Sequence, residues 1–282
     1  MENKATEQTE INPHPYEYIH NPGAICEDES IFIVVLVKSK VDNFEYREAI
    51  RYSWGTSFKH LVFLLGASEN TSIQNNVTKE SQIYNDIVQE NFIDDYCNNT
   101  LKTIMGFNWA HTYCHSSRYH LFVDDDVFVV KDNLDFLYRP PTPEQTLFIG
   151  RLFQNSVPYR DNGSKWYISW EDYPFDRWPP YIAGGAFVTS SRVTQMLHFA
   201  FPFVKYLGID DAYLGIVSKK LGLRLTTWNG FMMNTPKRTH TKLNYRRIVA
   251  YHRIDEPQKM YTVWKNYLEF KKELRTPIPF KP

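Results

Sequence analysis

The sequence lacks the features that mark several large functional classes. Its three cysteines, Cys26, Cys97 and Cys114, are too few and too scattered for a disulfide-built scaffold or a zinc cluster. No run approaches the ~18–20 apolar residues of a membrane span. The opening MENKATEQTE is polar and holds no signal-peptide apolar region. Neither sign of charge is in excess, with 32 Lys+Arg against 32 Asp+Glu, so no basic field recommends a nucleic-acid partner. Phosphate loops, the G-x-G-x-x-G fingerprint, H-E-x-x-H and G-x-S-x-G are absent. So are internal repeats and low-complexity tracts. One local absence is informative: no acidic residue lies between Asp211 and Asp255, a stretch rich in Lys and Arg that would suit a diphosphate or an acidic surface.

What the chain does have is apolar material. Of its 282 residues 43% are hydrophobic, which suffices for a substantial core. Residues 1–29, polar and holding Pro13, Pro15, Pro22 and Gly23, read as a stem or linker, and residues 30–282 as one compact domain. Ile31–Val37 is a β-branched run expected of a buried parallel strand. Asp42 to Glu45 has the form of a capping box, opening a helix with Arg47, Arg51 and Trp54 on one face. A strand over Leu61–Gly66 and helices over 77–90 and 100–115 follow, then a strand ending at Asp124. Further helices are expected after Ser191, from Asp210 and from Pro257 to about Leu274. This alternation predicts an α/β fold with a mostly parallel central sheet flanked by helices.

The strongest chemical signal is Asp124, Asp125 and Asp126 between two apolar runs. Three adjacent carboxylates repel, and a hard divalent cation with oxygen ligands would compensate them. A solvated acidic turn is the alternative. Arg47 and Arg51, like charges one helical turn apart, suit an anion between them, or a basic face partnered by Glu45 and Glu48. Asp210 and Asp211 stand at a helix start, where one can cap and the other point outward as a general base. Lys165, Trp166, Tyr181, Gly184 and Gly185 have the aromatic and glycine content of a sugar groove, or of ordinary core and turn. His252 could complete a metal shell or serve structurally. Cys26 and Cys114 each precede a predicted strand. If those strands are parallel neighbours, a Cys26–Cys114 bridge is favoured, with three buried thiols as the alternative. Sequons at Asn70, Asn76, Asn98 and Asn162 lean towards a secretory compartment.

Taken in order over roughly residues 22–270, these segments resemble the β-1,3-glycosyltransferase family of galactosyl- and N-acetylglucosaminyltransferases. The carriers are Arg47-Glu-Ala-Ile-Arg51-Tyr-Ser-Trp-Gly55, Glu80 to Asp95, Thr100-Leu-Lys102-Thr and Phe122-Val-Asp-Asp-Asp-Val-Phe128. Lys165-Trp-Tyr, Tyr181-Ile-Ala-Gly-Gly185, Asp210-Asp-Ala-Tyr and Tyr245 to His252, with Met260 and Trp264, complete them. The resemblance implies a GT-A fold, a Mn²⁺-dependent site, a UDP-sugar donor, a glycan acceptor and inversion at the anomeric carbon. It implies a Golgi type II membrane protein facing the lumen, whose anchor is not within this sequence. It assigns Asp124, Asp126 and His252 to the metal, Asp211 to the base, and Arg47, Arg51, Lys102, Asp124 and Asp125 to the nucleotide-sugar. The acceptor and sugar groove would take Lys165, Trp166, Tyr181, Gly184, Gly185 and Asp210. Two departures stand out. Asp210-Asp211-Ala212 replaces the family's usual Glu-Asp-Val, and Asn99 stands where the family often has Leu. The expected activity is transfer of a hexose, galactose foremost, to a 3-hydroxyl. The alternative is a catalytically silent carbohydrate-binding protein on the same fold.

Overall fold

The computed structural model describes residues 9–28, 30–138, 146–233 and 244–275. In chain order these form β1 (Tyr18–His20), β2 (Ile33–Lys38), α1 (Phe44–Arg51), β3 (Leu61–Ala67), α2 (Thr71–Tyr84) and β4 (Ile87–Ile93). Then come α3 (Asn99–Tyr113), β5 (Tyr119–Asp124), β6 (Val127–Val129), β7 (Phe148–Phe153), β8 (Tyr181–Ser190) and α4 (Ser191–Ala200). The remainder is α5 (Asp210–Lys220), β9 (Leu225–Thr227), β10 (Phe231–Met232), β11 (Ala250–His252) and α6 (Pro257–Arg275).

The main sheet has the order β1-β4-β3-β2-β5-β8-β7-β9, and its centre, β4-β3-β2-β5, is parallel. Beyond β5 the direction reverses at β8. The expected α/β class with a mostly parallel sheet is therefore present. The central strands are buried on both faces, which is why they read as unbroken apolar runs. Successive residues split between two cores. Val34 and Leu36 pack with Leu64, Phe122 and α3, α4 and α5; Val35 and Val37 pack with α1, α6 and a small second sheet, β10-β11-β6. The Asp124–Asp126 turn carries the chain from one sheet to the other, since β6 pairs with β11.

Three sequence expectations are corrected. The helix expected over 77–90 is α2, and it ends at Tyr84. The Asn70 side chain caps its start by accepting from the Ser72 and Ile73 amides, and Asn85 closes it in the left-handed region at φ 48°. Ile87 and Val88 then belong to β4, where burial on both faces outweighs the helical spacing. The capping box at Asp42–Glu45 does not form: Asn43 holds the N-cap position without a side-chain cap, and Asp42 pairs with Lys40. The segment read as a stem is tied to the domain from Ile11 onward. Ile11 and Asn12 donate to the Pro202 carbonyl, β1 pairs with β4, and Cys26 is bridged to Cys114 across a Cα–Cα distance of 5.1 Å. Cys97 is the free, exposed cysteine.

Arg47 and Arg51 lie behind the sheet rather than facing a ligand. Arg47 is 0% exposed. Its guanidinium forks onto Glu80 at 2.7–3.2 Å and also reaches Ser39 Oγ at 3.1 Å and the Lys40 carbonyl at 2.8 Å. Arg51 bridges Glu80 and Asp86. The anion suited to this pair is Glu80, supplied by α2 and not by Glu45 or Glu48.

Two outcomes follow for stability. Glu80→Leu leaves the buried Arg47 guanidinium without a carboxylate, while Arg51 keeps Asp86, and should cost roughly 3–5 kcal/mol in chemical denaturation. Reducing the Cys26–Cys114 bridge frees an 88-residue separation and should cost up to about 4.5 kcal/mol on the chain-entropy account. Peptide mapping that finds Cys97 in a bridge would contradict the pairing.

Candidate active site

Parallel strands deliver their ends, and the turns after them, to one edge of a sheet, and ligands of open α/β sheets bind there. Here that edge opens into a cleft of about 1010 Å³. Lys102, Asp124, Asp125, Asp126, Lys165, Trp166, Tyr181, Gly184, Gly185, Asp210, Asp211 and His252 all line it. Arg47 and Arg51 do not. Their part is indirect: Arg47 holds Ser39 and the Lys40 carbonyl, and Ser39 Oγ donates to Asp125 Oδ2 at 2.7 Å.

The three consecutive carboxylates separate into different environments. Asp124 receives the Lys38 ammonium at 3.0 Å. Its carboxyl is nevertheless pushed up to about 6, by burial first and then by the charges of Asp126 and Asp210. Asp125 is fixed by Ser39 and by Asn43 Nδ2 at 2.9 Å, its oxygens turned towards the β2–α1 loop. Asp126 Oδ2 lies 3.1 Å from His252 Nε2, while its Oδ1, shielded from solvent, has no hydrogen-bond partner.

Asp124, Asp126 and His252 each offer one ligand atom within 4.8 Å of the others. That set of two carboxylates and one imidazole, with an orphaned carboxylate oxygen, fits a divalent cation. His252 is already oriented for it. Its Nδ1–H donates to the Met233 carbonyl at 3.2 Å, which turns Nε2 towards the acids. Burial would lower the imidazole's pKa, but Asp126 and the Met233 carbonyl hold it above its ordinary value.

On the opposite wall α5 begins at Asp210. Neither aspartate caps it: Ile209 holds the N-cap position without a side-chain bond. Asp210 instead accepts from Lys38 Nζ at 2.7 Å and Thr103 Oγ1 at 3.0 Å. Burial would raise its pKa, but Lys38 and Thr103 keep it below the ordinary range. Asp211 takes the Ala212 amide at 2.8 Å and the Gly184 amide at a long 3.4 Å, so much of its acceptor capacity is uncommitted. Its carboxyl is pushed up to about 7, by burial first and then by Asp210.

Gly184 and Gly185 allow β8 to pass between these groups. A Cβ on Gly184 would sit 3.3 Å from Asp210 Oδ1 and 3.4 Å from the Asp211 Cβ. One on Gly185 would meet Met233 Sδ at 3.0 Å and approach Asp124 and His252. Lys102 is spoken for by the Ser39 carbonyl at 2.6 Å and Asp94 at 2.9 Å. Lys165 stands 5.1 Å from the Tyr96 ring and 4.7 Å from the Trp166 ring, and Tyr159 lies beside Trp166.

Lys38, Tyr96, Tyr159 and Met233 are cleft residues absent from the sequence-level expectations. Lys38 had a signal: it is the single charge in a strand that reads IVVLVK. The others had none, because only the fold brings their loops to the cleft.

A divalent cation should raise the unfolding temperature through this cluster. At a concentration of one hundred times Kd the stabilisation is about 2.7 kcal/mol. Asp126→Ala should fold normally, since it removes one of several repelling carboxylates, and should lose the cation-induced shift in a thermal melt. An undiminished shift places the cation elsewhere.

Residues 45–228 match the family model described as Galactosyltransferase. Beta-1,3-galactosyltransferase 1 of Mus musculus is 36% identical over 273 residues, covering 94% of this chain and 82% of the relative. Beta-1,3-galactosyltransferase brn of Drosophila melanogaster is 40% identical over 261 residues, covering 88% and 79%. Beta-1,3-galactosyltransferase 5 of Pan paniscus is 32% identical over 266 residues, covering 92% and 88%. Agreement of this extent means that the chain belongs to the galactosyltransferase family.

Proposed function

We propose that the protein is an inverting β-1,3-galactosyltransferase that moves galactose from UDP-galactose to the 3-hydroxyl of a glycan acceptor, with Mn²⁺ as its cation. The observation that carries this reading is the pairing, in one cleft, of a divalent-cation cluster with a carboxylate held largely free at a helix start. The names of the relatives support galactose as the sugar and the 3-hydroxyl as the acceptor group.

A cation held by Asp124, Asp126 and His252 would neutralise the diphosphate as leaving-group charge develops. The chain supplies the rest. Asp211 accepts the proton of the acceptor hydroxyl while that oxygen bonds to the anomeric carbon. The bond from that carbon to the diphosphate breaks on the opposite face, which inverts the centre. Asp210 is committed to the frame instead, because Lys38 and Thr103 both donate to its Oδ2. Trp166, Tyr159 and Tyr181 offer apolar faces against which sugar rings can stack, and Gly184 and Gly185 keep β8 from filling that space.

The Cys26–Cys114 bridge and the exposed sequon residues Asn70, Asn76 and Asn162 favour the oxidising secretory lumen, and with the family they support the Golgi as the compartment. No helix among the described residues is long and apolar enough to cross a membrane.

The deciding experiment supplies Mn²⁺, a panel of UDP-sugars and glycan acceptors. Transfer from UDP-galactose supports the reading, and sugar binding without UDP release supports a silent lectin-like protein. Asp211→Asn should keep donor affinity and lower transfer by a factor on the order of 10²–10⁴. The base acts only when ionised, and its carboxyl titrates near 7 in the unliganded site. Transfer should therefore decline as pH falls through an acid limb at or below that point, bound cation moving the limb lower. With Mn²⁺ kept saturating across the pH range, the limb should vanish from the residual rate of Asp211→Asn; its persistence under saturating cation would put the base elsewhere.

A further inference from the structure

Lys38 ends β2, and the sheet register sets it directly beside Asp124 on β5. Its side chain is 2% exposed, yet its ammonium lies 3.0 Å from Asp124 Oδ1 and 2.7 Å from Asp210 Oδ2. It thus touches one acid of the cation cluster and the immediate neighbour of Asp211. Thr103 on α3 adds a second donor to the same oxygen of Asp210 at 3.0 Å. Two donors on one oxygen fix the first turn of α5 against the sheet. Asp211, the next residue, has by contrast one short bond to its own helix and a long one to Gly184. Its direction is inherited from Asp210.

Stability does not explain the ammonium. A buried ion pair gives back in Coulomb energy little more than it loses in desolvation, and apolar residues of similar volume often serve as well. What the pair supplies is geometry, since an ammonium between two carboxylates sets their separation within hydrogen-bond tolerance. We propose that Lys38 is a positioning residue for transfer, one that fixes the cation-holding Asp124 and the base-bearing turn of α5 relative to each other. The inference rests on Asp211 being the base. It gives Lys38 no contact with the donor.

The test compares Lys38→Met, Lys38→Arg and the double variant Lys38→Met/Asp210→Asn with wild type and Asp211→Asn. Readouts are thermal unfolding, Mn²⁺-dependent UDP binding by calorimetry, and kcat and KM for transfer. Lys38→Met takes the ammonium from Asp210, which keeps only Thr103, and from the part-exposed Asp124, and should melt lower. The double variant removes one of those charges and should recover most of the melting temperature. Both should bind UDP within about threefold of wild type while kcat falls by about 10²–10³, the range for a misplaced catalytic group. Lys38→Arg should retain intermediate kcat. A double variant that regains wild-type kcat together with its melting temperature would show that Lys38 only balances charge. A loss of UDP affinity as large as the loss of kcat would make it a donor contact. Either result overturns the proposal. Should Lys38→Met fail to fold, the double variant decides alone. Full activity in Asp211→Asn would instead remove the reading on which the inference stands, and is told apart by that variant.

Discussion

Five carboxylates, those of Asp124, Asp125, Asp126, Asp210 and Asp211, converge on one edge of the sheet, and the fold around them is organised by how each is compensated. Lys38 serves Asp124 and Asp210 together. Asp125 is satisfied by neutral donors, Ser39 and Asn43. Asp126 has an imidazole on one oxygen and nothing on the other. Asp211 has only backbone amides. Compensation is thus fullest for Asp125 and Asp210, and least for Asp126 and Asp211. Under the proposed function those two would serve a cation and a proton.

The frame reaches well behind the cleft. Arg47 does not touch the cleft, yet it holds Ser39 and the Lys40 carbonyl, and Ser39 in turn holds Asp125 and offers its own carbonyl to Lys102. Glu80 on α2 anchors Arg47 and Arg51. The arginine motif of α1 therefore bears on the site through the β2–α1 loop. Its charge is fully used in the interior, and what reaches the cleft is loop position.

Much of this was legible in the sequence. Apolar runs and helical spacing located the central strands and most helices, because those signals reflect burial directly. Membership of the family carries the GT-A type of fold expected from the motif order, and the parallel centre of the sheet agrees with it. The acids, the glycine pair, His252 and the aromatic loop do meet in one cleft. What misled was local chemistry read without its partners. Arg47 and Arg51 looked like ligand groups because Glu80, their true counter-ion, lies on another helix. Asp210 looked like a cap because Lys38 lies 172 positions away in sequence. Each error has one cause: a charged residue's environment is set by a distant element.

The covalent link from Cys26 to Cys114 also bears on how the molecule would carry a load. What holds the chain before Cys26 to the rest includes a three-residue edge strand, two amides on the Pro202 carbonyl, a His14–Glu90 contact and an Asn21–Trp109 hydrogen bond. A pull on the amino end would peel those away one after another, as a zip opens. Peeling would stop at Cys26, where the force passes through sulfur to the end of α3, close to the start of β5. The load would reach β5, and with it Asp124, only after those outer contacts had given way.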